Sequence, residues 1–317
     1  MIILINFSSI FIMKKEMLFT ILIPHKNTPD LLKRLLNTIP IREDLEIIVV
    51  DDHSDPSIVD FKSLSSMYKG NYVLMFNDGS RGAGYARNYA LPLAKGKWVL
   101  FADSDDFFND GFNDFLDKYK DSDADIVYFN ANSVDTDTYE VSNRADHLHE
   151  FHEIYQKDKV RGELIMRCMF TEPWCKMIKR DLINKYSIRF DTTAIHEDVK
   201  FACLVGRYAK KVLVDNRQLY CVTSRADSLS RTQSHQAYLD ELLVFSKWKR
   251  FLMNNYPSMD LAKFDYRVYN FARHLYKDHS LFQEEYHVLR EAGFSHVYII
   301  GQILKYMWKS VRYKLKF

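Results

Sequence analysis

The chain has 317 residues, 47% of them hydrophobic and 27% charged, with a formal net charge of +2. That is ordinary for a globular protein with one large domain plus an appendage, or with two domains. The small net charge excludes nucleic acid as a partner for the chain as a whole, and four scattered cysteines without CxxC spacing exclude a zinc site or disulfide framework and fit a reducing cytoplasm.

Residues 1–13 (MIILINFSSIFIM) are apolar but shorter than the roughly 20 residues that span a bilayer. They also lack the basic start and small-residue cleavage site of a signal peptide. Met13–Met17 reads as an alternative start, so residues 1–12 are taken as an extension or a start-site artefact, with a weak membrane-contacting segment as the other reading. Phe19–Ile23 is a β-type run stopped by Pro24, and residues 29–36 read as a helix. Leu45–Val50 is a second buried strand, ending in Asp51-Asp52. A helix is expected over 56–67, a third strand at Tyr72–Phe76, a helix near 83–94 and a fourth strand at 98–102. Strands alternating with helices imply a parallel sheet with crossover connections. Asp125–Phe129 reads as a further strand, 130–150 as polar loop or hairpin, and 158–186 as helical. Lys211–Val214 and Leu219–Val222 read as short strands, and the chain beyond about 235 as helices.

The fourth strand runs straight into Asp103-Ser104-Asp105-Asp106. In an open α/β sheet, ligands bind beyond the carboxyl ends of strands. Carboxylates there can hold a hard divalent cation, and the cation a diphosphate. A D-x-D triplet alone says little, and Asp121-x-Asp123-x-Asp125 and Asp135-x-Asp137 repeat it as ordinary turn acids. Only 103–106 follows a strand of the alternating core, and Asp51-Asp52 brings a second acid pair to the same edge. The loop Gly79-Ser80-Arg81-Gly82-Ala83-Gly84 runs G-x-x-G-x-G after the third strand, which is not the dinucleotide fingerprint. Arg87 in the following helix could face a phosphate or be a surface arginine. His147-x-His149-x-x-His152 has intervals that do not share a helical face, and is read as a solvated segment.

The series Thr20–Asn27 (TILIPHKN), Glu46–Ser54 (EIIVVDDHS), Gly82–Asn88 (GAGYARN) and Leu100–Asp106 (LFADSDD) resembles glycosyltransferase family 2. Glu172–Lys176 (EPWCK), His196–Val199 (HEDV) and Ser228-Leu229-Ser230 after Tyr220 and Arg225 extend the resemblance over about residues 18–231. It implies a GT-A fold: a Rossmann-like mixed α/β sheet flanked by helices, here with a C-terminal helical extension. The implied units are an N-terminal extension (1–17), a catalytic domain (18–231) and a helical region (232–317). The implied activity is inverting transfer from a nucleotide-diphosphate sugar, with UDP preferred, assisted by Mn²⁺ or Mg²⁺. The acceptor would be a saccharide or lipid-linked saccharide, in surface-polysaccharide synthesis.

Carried over by position, Pro24, Asp52 and Arg87 line the nucleotide pocket, with His25, Lys26, Asp51 and Ser104 in the same donor set. Asp103 contacts ribose or metal, and Asp105 is the first choice for metal ligation with Asp106 nearby. Asp198 would be the general base, or Glu197 in its place. Trp174 and Lys176 fall on the acceptor side, where core packing is an equal reading for Trp174. Many relatives have Tyr where Lys26 stands, which weakens the assignment of the nucleobase. An inactive nucleotide-sugar-binding relative and, more distantly, a dinucleotide-dependent oxidoreductase are the competing readings.

No acid follows Glu291. Ile300, Leu304, Met307, Trp308, Val311 and Leu315 fall on one helical stripe, and Lys305, Lys309, Arg312 and Lys316 on another. Residues 296–317 therefore suit peripheral contact with an anionic membrane, on the inner face of the plasma membrane, or ordinary packing with a solvated basic face. A second amphipathic stretch over 238–252 suits core packing or contact with another copy in a homo-oligomer.

Overall fold

The computed structural model describes residues 16–314 apart from 78, 80–81, 194, 225–233, 258, 260–270, 273 and 276, with side chains through 308. The apolar runs form strands as their composition requires. β1 (Phe19–His25), β2 (Leu45–Asp51), β3 (Asn71–Phe76) and β4 (Trp98–Phe101) are parallel neighbours. β2 and β4 are buried at every position, as expected of parallel strands covered on both faces. The strands continue as β5 (Phe107–Phe108), β6 (Ile126–Asp135), β7 (Lys176–Lys179) and β8 (Val212–Ser224). Among the described residues they make one eight-stranded mixed sheet in the order β3-β2-β1-β4-β7-β6-β8-β5.

Helices α1 (Pro29–Thr38), α2 (Phe61–Leu64), α3 (Ala83–Ala90) and α4 (Phe112–Tyr119) connect the first strands. α5 (Asp146–Lys157), α6 (Lys159–Met169), α7 (Arg180–Lys185) and α8 (Asp198–Tyr208) follow. α9 (His235–Asn255), α10 (His279–Glu291) and α11 (His296–Lys314) make the C-terminal region.

Several expectations change. The helix over 56–67 shrinks to Phe61–Leu64: Asp55 holds a turn by accepting from the Ser57 N–H, and Asp60 caps the short helix by accepting from the Lys62 N–H. The helix near 83–94 stops at Ala90, and Pro92 lies in a single 3₁₀ turn. The strand expected over 125–129 spans Ile126–Asp135, and α5 takes over the last five residues of the stretch read as polar loop or hairpin to 150. Strand β7 interrupts the segment read as helical, pairing antiparallel with both β4 and β6. The two short strands near 211–222 are one strand, β8.

The main core lies on the sheet, and α9 ties the C-terminal helices to it. Val244, Trp248 and Leu252 pack with Cys168, Met169, Val199 and Cys203. Leu242 belongs to a further cluster with Phe271, Leu289, Phe294 and Ile299. All four cysteines are buried free thiols. No described helix is long and apolar enough to cross a membrane. Residues 1–15 and the Arg225 and Ser228-Leu229-Ser230 matches lie outside the described residues.

Candidate active site

Parallel register brings the carboxyl ends of β1, β2 and β4 together. His25 pairs with Asp51 in the β1–β2 ladder, and the Ala102 N–H reaches the Leu22 carbonyl at 3.1 Å. Asp51, Asp52 and Asp103 therefore share one edge of the sheet.

The first acid pair is engaged internally. His25 Nδ1 lies 2.8 Å from Asp51 Oδ2, and the Thr28 N–H donates to His25 Nε2 at 3.3 Å, which assigns the ring proton to Nδ1. Ser54 adds its hydroxyl at 2.6 Å and its N–H at 3.0 Å. Burial alone would raise the Asp51 pKa, but the bonds from His25 and Ser54 outweigh it and hold the carboxylate below its usual range. Asp52 accepts from Asn77 Nδ2 and the Gly82 N–H, both at 2.9 Å, so it fixes the loop that opens α3. Gly82 has φ of +122°, open to glycine and little else. Lys26 Nζ lies 3.8 Å from Asp52, and Thr28 Oγ1 lies 3.2 Å from Ser104 Oγ. Pro24 sits half-buried near the end of β1.

The 103–106 cluster divides by burial. Asp106 is enclosed, and its Oδ1 accepts the Thr223 N–H at 2.7 Å. Burial first, then Asp105 and Asp103, push its pKa well above the usual range, so it anchors the loop to β8 and is withdrawn from the exposed acids. Asp103 and Asp105 remain partly exposed. The Asp103 N–H donates to the Tyr220 hydroxyl at 2.9 Å. The Asp105 carbonyl accepts from Thr223 Oγ1 at 2.7 Å and from Arg34 Nη2. Arg34 also reaches the Thr136 carbonyl at 3.2 Å and stacks over Phe107 at 5.2 Å. Arg34→Ala is expected to raise the donor KM about tenfold with little change in kcat, the scale of a lost charge-assisted hydrogen bond; initial-rate kinetics against donor check it.

The second half arrives from the segment before α8. Arg87 is buried and forks between the halves, Nη2 to Asp103 Oδ1 and Nη1 to Glu197 Oε1, each at 2.6 Å. Its guanidinium lies 5.3 Å over Phe190. Asn88, the next residue, exchanges two bonds with the Phe190 backbone at 2.9 and 3.0 Å. Phe190 stacks on Phe201 at 4.0 Å, and both meet Phe101 of β4 edge-on. Gly84 allows α3 this approach: a Cβ there would lie 2.7 Å from Glu197 Cγ and against the Asp191 carbonyl.

Asp198 opens α8 half-buried. Burial first, then Glu197 and Glu172, push its pKa well above the usual carboxylate value, while Arg87 pulls the other way. Glu197 is held in the Arg87 ion pair, which separates two acids that sequence leaves equivalent. Trp174 is 6% exposed and stacks on Tyr220 at 5.6 Å, so it offers no free face to a sugar. Lys176 is 1% exposed, donates to the Glu172 carbonyl and lies 3.7 Å over Phe170; burial lowers its pKa to about 8. The acceptor positions inferred from resemblance are thus core positions in this conformation.

The three histidines lie on α5 rather than in a solvated loop, and they separate. His147 pairs with Glu172 at 2.9 Å, His149 meets Asn130 at 3.2 Å, and buried His152 meets Asn216 at 3.2 Å. The other acid triplets are engaged elsewhere: Asp125 accepts from the distant Lys210 and Lys211 N–H groups, and Asp135 holds a turn by accepting from the Asp137 and Thr138 N–H groups.

A divalent cation fits this edge in one respect. Asp103 and Asp105 supply hard oxygens, and Mg²⁺-type sites combine one or two carboxylates with substrate phosphates. No cluster of three His, Cys, Asp or Glu side chains suited to a metal occurs among the described residues, so such a site would be completed by the donor diphosphate.

A curled mixed sheet with acids at the carboxyl ends of its parallel strands is the GT-A fold. The sequence model described as Glycosyl transferase family 2 matches residues 20–187, and the chain belongs to glycosyltransferase family 2. Glycosyltransferase GlyG of Streptococcus pneumoniae is 26% identical over 243 residues, covering 73% of this chain and 79% of GlyG. The fold matches S. aureus TarS residues 1–349 in complex with UDP-GlcNAc (TM-score 0.60, 19% identity, 92% of this chain and 89% of that one). It also matches the Pyrobaculum calidifontis mannosyltransferase PcManGT in complex with GDP-Man and Mn²⁺ (TM-score 0.50, 15% identity, 92% and 87% covered).

Proposed function

We propose that this glycosyltransferase moves a sugar from a nucleotide-diphosphate donor, preferably UDP-linked, to a saccharide or lipid-linked saccharide acceptor with inversion. The observation that carries the reading is the Arg87 fork, which sets the acids at the end of β4 beside the Glu197-Asp198 segment. The donor lies over the strand ends, near Pro24, Lys26 and Asp52, with its diphosphate toward Asp103 and Asp105. A bound Mn²⁺ or Mg²⁺ supplies positive charge against the departing diphosphate. Asp198 takes the proton of the acceptor hydroxyl as that oxygen bonds to C1 and the C1–phosphate bond breaks, releasing nucleoside diphosphate. The UDP-GlcNAc complex of TarS supports the donor class, and the PcManGT complex supports the metal. The acceptor class and a place in surface-polysaccharide synthesis rest on the family resemblance.

A thermal-shift screen of nucleotide sugars with Mn²⁺ tests this. At donor about a hundredfold above its Kd, a rise of roughly 5 °C is expected. Asp105→Ala is expected to remove the Mn²⁺-dependent part of the shift. A shift with NAD(P) alone, or none with any nucleotide sugar, overturns the reading.

A further inference from the structure

Helix α11 has two apolar faces with different surroundings. Ile299 is buried among Leu242, Phe271, Leu289 and Phe294, with Tyr298 and Ile303 packed against them. On the other side Val297 is 81% exposed, Ile300 51%, Leu304 58% and Trp308 58%. With about 100° per residue these positions fall within one arc, beside the face that packs. A helix that only caps a bundle places polar residues there. The segment is also basic: after Glu291 the sequence holds five Lys and Arg and no acid. Lys305, at the border of the arc, is exposed.

We propose that α11 is a docking surface for an anionic phospholipid bilayer. It lies in the plane of the interface, with Val297, Ile300, Leu304 and Trp308 at the boundary of headgroups and acyl chains. Charge selects the occupant. A second copy would set the same cations against themselves, whereas an anionic leaflet attracts each of them. α9 shares the cluster that anchors α11 and also carries Phe245, whose ring lies 5.2 Å from His196. The docking helix and the segment bearing Glu197 and Asp198 thus rest on one helix. The inference stands apart from the transfer chemistry.

The test is cosedimentation of the full chain with vesicles of phosphatidylcholine, with and without phosphatidylglycerol. Pelleting with phosphatidylglycerol vesicles is expected, roughly tenfold weaker on phosphatidylcholine alone and at high salt. Ile300→Glu with Leu304→Glu, both at exposed positions, should weaken it by at least about tenfold while the donor-induced thermal shift persists. Should that variant unfold, quenching of the unsubstituted chain's tryptophan fluorescence by brominated lipid replaces it, and quenching is expected. No pelleting on anionic vesicles, equal pelleting of the folded variant, or no quenching overturns the proposal. A dimer in lipid-free buffer that the double substitution makes monomeric assigns the stripe to a second copy and also overturns it.

Discussion

Asp198→Asn is expected to keep nucleotide-sugar binding and to lower turnover by about 10³-fold, within the range a general base supplies. Donor titration and single-turnover kinetics measure the two separately, and near-normal turnover would exclude Asp198 as the base. The pH dependence carries a sign. The base acts deprotonated, so kcat/KM should rise with pH through a value above the ordinary aspartate range, because burial, Glu197 and Glu172 disfavour the charge. Stability runs the other way. The folded-state pKa exceeds the unfolded one, so the benefit of a neutral Asp198 is full below the unfolded value and lost as pH rises through the folded one. Asp198→Asn should therefore raise Tm relative to the unsubstituted chain at alkaline pH and leave it nearly unchanged in acid. A residue that costs stability where it is catalytically active is the usual trade at such sites.

Arg87→Met removes the side chain that bonds both Asp103 and Glu197. Breaking a buried pair and leaving its carboxylates uncompensated costs about 3 kcal/mol, the lower end of the usual range because Asp103 is partly exposed. That corresponds to a Tm fall of roughly 5 °C or more, read by differential scanning calorimetry. Turnover should fall by more than about 100-fold as the two acid sets lose their common register. Its acid limb should also move to higher pH, since Arg87 is a positive charge that lowers the Asp198 pKa. Arg87→Lys keeps the charge but not the two-pronged geometry, and should lie between. Unchanged kinetics in Arg87→Met would separate the fork from the chemistry.

The central strands were legible because burial on both faces makes parallel strands continuous apolar runs, as in Leu45–Val50. β7 was not: its four residues, KMIK, carry a lysine at either end and follow a helical pattern. β8 looked like two strands because Asp215-Asn216-Arg217 interrupts it; the fold accommodates Asp215 by pairing it with Arg217 and Lys118. Glu197 and Asp198 came only from the family resemblance, whereas Asp51, Asp52 and the 103–106 acids stood out by their position after strands. Their supports did not. Arg34 sits in an amphipathic helix beside Lys33, 71 residues from the carbonyl it holds. Tyr220 and Thr223 gave a faint signal, as polar groups in a buried run of β8, but their partners lie 117 and 118 residues away. Nothing in the pair Glu197-Asp198 shows which acid Arg87 binds, since that depends on how closely α3 approaches.

That approach passes through Gly84. There α3, the helix that carries Arg87, meets the segment bearing Glu197 and Asp198 with no side chain interposed. A single methyl group at this point would act as a shim in a caliper, holding the jaws apart by its own thickness. The spacing between α3 and the Glu197-Asp198 segment is thereby gauged at a position with no charge of its own.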